Sequence, residues 1–167
     1  MTKNLDKEGL SSIVDGYQLF YVDLWGVVHN GLFLHQEAIK ALNEITKKNK
    51  EYILLTNAPR PNQAVKSFLE KLGMEKTIRD HVFTSGEAAL NYLKKNLLNE
   101  SFFHIGPPRD FDLFKDFKKK KIKNIEDCGY ILCTGLFDDH NEDLKYYKKL
   151  FEKSLKKKMI CTNPNLI

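Results

Sequence analysis

A chain of 167 residues, 42% hydrophobic and 11% aromatic, has enough apolar material for a packed core, which excludes a disordered chain. The formal charge of +5 is nearly all lysine, since Arg60, Arg79 and Arg109 are the only arginines, and lysine solvates surfaces more readily than it recognises planar groups. No run approaches the roughly 20 apolar residues of a membrane span, and no apolar segment follows a basic start, so a cytoplasmic protein without a membrane partner is expected.

After a polar leader, residues 18–22 (QLFYV) form a short β-forming run that stops at Asp23, with Gly26 and Gly31 beyond it: a buried strand running into a loop. Residues 37–48 place Ala38, Ala41, Leu42 and Ile45 at helical spacing, with lysines at the C-terminal end where the helix dipole favours them. A second strand at 52–55 is broken by Thr56-Asn57-Ala58-Pro59-Arg60-Pro61, and residues 63–72 restore a helical period that stops at Gly73. A third strand is predicted at 81–84, a helix start at Ser85-Gly86-Glu87, and its body at 88–97. Strands alternating with helices predict a doubly wound parallel sheet in an α/β fold.

From Ser101 the pattern repeats with shorter elements. Strands are predicted at 102–105, 130–133 and 159–161, with helices at about 110–117 and 142–157. The expected domains are therefore 1–98 and 99–167. The lysine run 118–121 with Lys123 reads as a solvated helix end rather than a nucleic-acid patch. Cys128, Cys133 and Cys161 show no CxxC spacing and sit in or beside apolar stretches, as buried thiols do.

Ligands of doubly wound sheets collect beyond the C-terminal ends of the strands. Two such ends carry polar groups here, Asp23 and Thr56-Asn57. A carboxylate facing a hydroxyl and loop amides suits phosphoryl transfer, whereas a strand-end Asp taken alone is more often a loop cap.

Context narrows that choice. Phe20-Tyr21-Val22-Asp23-Leu24-Trp25-Gly26-Val27 with Asn30-Gly31 resembles the first motif of the haloacid dehalogenase superfamily, apolar residues followed by Asp-x-Asp-Gly-Thr/Val. Ile53-Leu54-Leu55-Thr56-Asn57 resembles its second motif. Residues 82–88 (VFTSGEA) and Thr162-Asn163-Pro164 are similar to the class IIA, NagD-like subgroup, which carries an α/β cap between the second and third motifs. The resemblance runs from about Leu19 to Leu166 and implies a Rossmann-like core, incomplete, with part of a cap.

It further implies Asp23 as a nucleophile forming an aspartyl-phosphate and binding Mg2+, Thr56 as the hydroxyl holding the phosphoryl group beside the Asn57 amide, and the Trp25 carbonyl as a second metal ligand. Arg60, just past the second motif, is a candidate for a substrate anion, against a solvent-facing loop arginine. The implied function is a phosphatase for a small phosphorylated metabolite. The alternative is a non-catalytic relative that binds such a metabolite or a protein.

Two departures bear on activity. Trp25 stands where the family's phosphatases carry a second Asp as general acid and base, a group worth roughly 10²–10⁴-fold. His29 is the nearest titratable replacement, but a loop or capping histidine is the commoner meaning. The Trp25 side chain itself is expected to pack rather than to serve as a substrate platform. The family's third and fourth motifs, a lysine and an acidic cluster, do not occur before Ile167, and Asn165 replaces the usual Asp. The expectation is a truncated hydrolase, a weak Mg2+ binder and poor catalyst by itself. It would also be prone to self-association through an uncovered first strand.

No zinc-site spacing, no GxxxxGK[ST] loop and no GxSxG elbow occurs. A phospho-receiver needs its Asp on the third strand, and Asp23 ends the first.

Overall fold

The computed structural model describes residues 5–137 and 143–163. In chain order the elements are α1 (Leu5–Glu8), β1 (Leu19–Asp23), α2 (Gln36–Lys47), β2 (Glu51–Thr56), α3 (Asn62–Lys71), the single turn α4 (Lys76–Arg79), β3 (Val82–Thr84), α5 (Ser85–Asn96), β4 (Phe102–Ile105), β5 (Tyr130–Cys133), α6 (Leu144–Glu152) and β6 (Lys158–Cys161). The strands form two three-stranded sheets, ordered β1-β2-β3 and β4-β5-β6. The described residues fall into two compact units, one within Met1–Thr56 and Lys66–Phe83, the other within Asn57–Val65 and Thr84–Ile167. No described helix is long and apolar enough to cross a membrane.

In the first unit β1 and β2 run parallel, in a register from Leu19 opposite Glu51 to Asp23 opposite Leu55. The antecedent is the pair of β-forming runs in the sequence, which need a helical crossover to lie parallel, and α2 supplies it. That helix buries Leu42 and Ile45, three positions apart on one face. Leu24, Val28, Leu54, Leu69 and Ile78 are almost wholly withdrawn from water. Each such side chain contributes on the order of 1.5–3 kcal/mol in transfer free energy. β1 lies at one end of its sheet, and Tyr21 on it is 66% exposed.

The second unit carries a parallel sheet covered on both faces. β4 pairs with β5 from Phe102 opposite Tyr130 to Ile105 opposite Cys133, and β5 pairs with β6 from Tyr130 opposite Lys158 to Cys133 opposite Cys161. Successive residues of a strand point to opposite faces. Accordingly Phe102, Tyr130 and Leu132 pack with Leu90 and Leu93 of α5 and with Leu113, Phe114 and Phe117. Ile105 and Ile131 pack instead with Ile125 and Cys128, against which Tyr147, Leu150 and Phe151 of α6 are laid. This is the helix–sheet–helix layering that the alternating pattern predicts.

Two predicted elements differ. The helix expected at about 110–117 is a run of 3-10 turns over Pro108–Lys120, broken by non-helical backbone at Phe114 and Phe117. Phe111, Phe114 and Phe117 recur every three residues, and short three-residue turns broken at Phe114 and Phe117 return an aromatic to the same side at each break. Burial of Phe114 and Phe117 selects the tighter winding. The last helix ends at Glu152 rather than 157, where the Ser154 hydroxyl turns back onto the carbonyls of Leu150 and Phe151. Its predicted first residue, Glu142, lies outside the described residues, as do Pro164, Asn165 and Leu166.

Candidate functional site

Asp23 and Thr56 are the last residues of adjacent parallel strands, and with Asp23 opposite Leu55 they are offset by a single register step. Asp23 is exposed and Thr56 half-buried. One carboxylate oxygen of Asp23 accepts the Leu24 N–H at 2.8 Å, which sets the orientation of the group as the chain leaves the strand.

The loop that follows is tightly wound. The Leu24 carbonyl accepts from the N–H groups of Val28 and His29, the His29 carbonyl accepts from Gly26 N–H, and Val28 O accepts from His35 N–H. Gly26 supports this path with a φ of 75°, where a Cβ would be strained. The Asn30 side chain accepts from Leu32 and Phe33 N–H at 3.0 and 3.1 Å, an Asx turn that closes the loop.

His29 is only 5% exposed, its Nδ1 accepts the Gly31 N–H at 3.0 Å, and its ring meets Trp25 and Phe68 edge-on. Burial, and to a lesser degree the charge of His35, push its pKa below the ordinary range against the opposing pull of Asp23. A neutral imidazole that accepts a main-chain hydrogen bond is a loop-closing group. Trp25 departs from its expectation: its side chain does not enter a core but stands 64% exposed, with one edge against His29 and the ring over Gly31. The cause is the backbone path, because Leu24 takes the inward position and Trp25 follows it outward.

Asn57 and Arg60 belong to the second unit. Asn57 Nδ2 donates to Asn163 Oδ1 at 3.1 Å. Arg60 Nε lies 3.7 Å from Asp110, whose carboxyl is almost fully buried. A buried carboxylate needs a paired cation, so Arg60 is not a freely solvated loop arginine.

The path of this loop is fixed by the start of α5. Thr84 Oγ1 donates to Arg60 O at 2.5 Å and accepts from Glu87 N–H at 2.9 Å. Asn62 Oδ1 accepts from Thr84 N–H, and the Glu87 carboxylate accepts from Asn62 N–H, each at 2.9 Å. Ala58 O accepts from Gly86 N–H and Ser85 Oγ at 3.1 Å. A Cβ on Gly86 would fall inside the backbone of Arg60. Every residue of Thr84-Ser85-Gly86-Glu87 is thus engaged in holding residues 58–62, a purpose that the helix-start reading of this segment had not reached.

Sequence reasoning also missed Asp110, and the pair formed by His104 Nε2 and Thr134 Oγ1 at 2.9 Å. Neither carries a local signal, because each partner lies 30 or more residues from the other.

Asp23 and the Trp25 carbonyl are the hard oxygen donors that Mg2+ takes. Among the described residues no group of three or more His, Cys, Asp or Glu gathers.

The family model of haloacid dehalogenase-like hydrolases matches residues 20–119. A haloacid dehalogenase-like hydrolase from Brucella suis 1330 superposes with a TM-score of 0.77 at 32% identity, over 93% of this chain and 57% of that one. The 4-nitrophenylphosphatase of Thermotoga maritima gives a TM-score of 0.66 at 22% identity, over 92% of this chain and 57% of its own. NagD from E. coli K-12 gives 0.60 at 17%, covering 89% and 57%. The last two likenesses concern the fold, and the chain spans about 57% of the length of each of these structures. No curated protein sequence matches it. The match over residues 20–119, carrying both Asp23 and Thr56, places the chain among the haloacid dehalogenase-like hydrolases.

Proposed function

We propose that the chain carries the nucleophilic half of a phosphatase for a small phosphorylated metabolite, with Asp23 attacking phosphorus and Thr56 and the Asn57 amide holding the phosphoryl oxygens. The observation that supports this most directly is the placement of an exposed carboxylate and a hydroxyl at the C-terminal ends of adjacent parallel strands. Asp23, oriented by Leu24 N–H, forms the aspartyl-phosphate as the bond from phosphorus to the leaving oxygen breaks, and water then cleaves the acyl phosphate. A Mg2+ ion bound by Asp23 and the Trp25 carbonyl would neutralise phosphoryl charge. Arg60, already paired with Asp110, serves as the substrate-anion contact in this reading.

Trp25 cannot donate a proton, and the buried, neutral His29 engaged with Gly31 is a poor substitute. Leaving groups that need no proton should therefore lose least, which favours aryl and acyl phosphates. The three cysteines, none of them in a disulfide, accord with a reducing cytoplasm as the site of action.

The test is phosphate release by a longer natural form in the presence of Mg2+, since this chain by itself is expected to be a poor catalyst. An aryl phosphate should turn over at least ~10²-fold faster than a sugar phosphate, and Asp23→Asn should abolish both. Equal, chemistry-limited rates on the two substrates would refute the leaving-group argument, and full activity in Asp23→Asn would refute the nucleophile. The missing acid at Trp25 favours a second reading, a non-catalytic phosphate binder. That reading predicts binding of a phosphorylated ligand with no release from any substrate.

A further inference from the structure

Cys133 closes β5 and Cys161 closes β6, and the two are direct partners in the parallel register. In-register residues of neighbouring strands project from the same face of a sheet, about 4.8 Å apart. That spacing lies inside the window of roughly 4.4–6.8 Å between Cα atoms that a disulfide requires. Cys133 Sγ approaches Gly135 O at 3.6 Å, beside the end of β6. Thr162, the next residue after Cys161, ties the two strand ends together: its N–H donates to Cys133 O at 2.9 Å and its hydroxyl to the same oxygen at 3.3 Å. Cys161 is exposed and Cys133 half-buried, so an outside reagent reaches Cys161 more readily, with Cys133 beside it. Cys128 takes no part, being buried elsewhere with its thiol donated to Ile125 O at 3.1 Å.

We propose that Cys133 and Cys161 are a reversible oxidation site that forms an intrachain disulfide by exchange with a low-molecular-weight disulfide such as oxidised glutathione. The Cys161 thiolate attacks one sulfur of the reagent, forming a mixed disulfide and expelling one glutathione thiolate. Cys133 then attacks Cys161 Sγ and expels the second. One disulfide is consumed and one formed, and the two protons lost by the protein thiols end on two reduced glutathione molecules. Burial and the adjacent Cys161 push the Cys133 thiol up to about 11, so the closing step should accelerate as pH rises. The product staples edge strand β6 to β5 and closes a covalent loop around α6.

The full chain, folded, is incubated with oxidised glutathione, then denatured for thiol counting, intact mass and peptide mapping. The expected result is a fall from the three thiols of the sequence to one, a mass lower by two hydrogens, and a single cross-linked peptide pair containing Cys133 and Cys161. Cys133→Ser should stop at a glutathione adduct on Cys161, and Cys128→Ser should form the disulfide as the parent does. Three thiols retained, a stable adduct on the parent, dimers linked through Cys161, or a cross-link that includes Cys128 would each overturn the proposal. The parent's mass and peptide map decide it even if a variant does not fold.

Discussion

The indole of Trp25 lies so close over Gly31 that a Cβ there would come within 2.7 Å of Cζ3. Gly31 also has a φ of 91°, which side chains rarely adopt. Gly31→Ala should therefore destabilise the protein by about 1–2 kcal/mol and displace the indole. Trp25 is the sole tryptophan, so its emission spectrum reads the displacement directly. An unchanged spectrum with unchanged stability would show that the contact constrains nothing.

Position 25 offers a test in the opposite direction. Trp25→Asp supplies a carboxyl where the family's phosphatases carry their general acid. If the proposed chemistry holds, phosphate release from an alkyl or sugar phosphate should rise by about 10²-fold or more, while release from an aryl phosphate changes little. Rates of both substrates across a pH series check it.

Thr84 spans two hydrogen bonds, to Arg60 O and from Glu87 N–H, and is fully buried. Thr84→Ala removes the N-cap of α5 and the hydroxyl donor to Arg60 O, at a cost of about 1–2 kcal/mol. Thr84→Ser, which keeps both bonds, should recover most of that. Urea unfolding of the three proteins distinguishes the hydroxyl's part from that of the methyl group.

His104 is buried against Phe111 and Phe114, and burial, with a smaller contribution from the Lys121 charge, lowers its pKa to about 4. The unfolded chain then binds more protons than the folded one between pH 4 and the ordinary histidine value near 6.5. Stability should rise with pH across that window and be lost as pH falls through it, by up to about 3 kcal/mol. His104→Gln should flatten the profile in melts taken between these limits. A parent melting temperature that is level over the window would contradict the assignment.

β1 ends its sheet with Tyr21 two-thirds exposed, an arrangement that templates pairing with another chain. The chain is expected to self-associate with rising concentration in light scattering, and Tyr21→Lys to reduce that association. A monodisperse monomer at all concentrations would refute this.

Much of the architecture was legible in the residues because its causes are local. Apolar runs broken by Gly, Pro and polar residues mark β1 to β6, lysine-ended helical periods mark α2 and α3, and the fold-setting alternation follows from their order. The same locality exposed Asp23 and Thr56, since a polar residue that terminates an apolar strand is visible without knowing its neighbours. Three things were decided only by tertiary structure. Residues 108–120 wind as 3-10 turns because the core receives Phe114 and Phe117 on a three-residue repeat, whereas propensity alone does not choose between windings. Trp25 stays outside because Leu24 takes the inward position. The pairings of Arg60 with Asp110, His104 with Thr134, and Cys133 with Cys161 join residues far apart in the chain. Their energies depend on which strands and loops become neighbours, and sequence spacing carries no record of that distance.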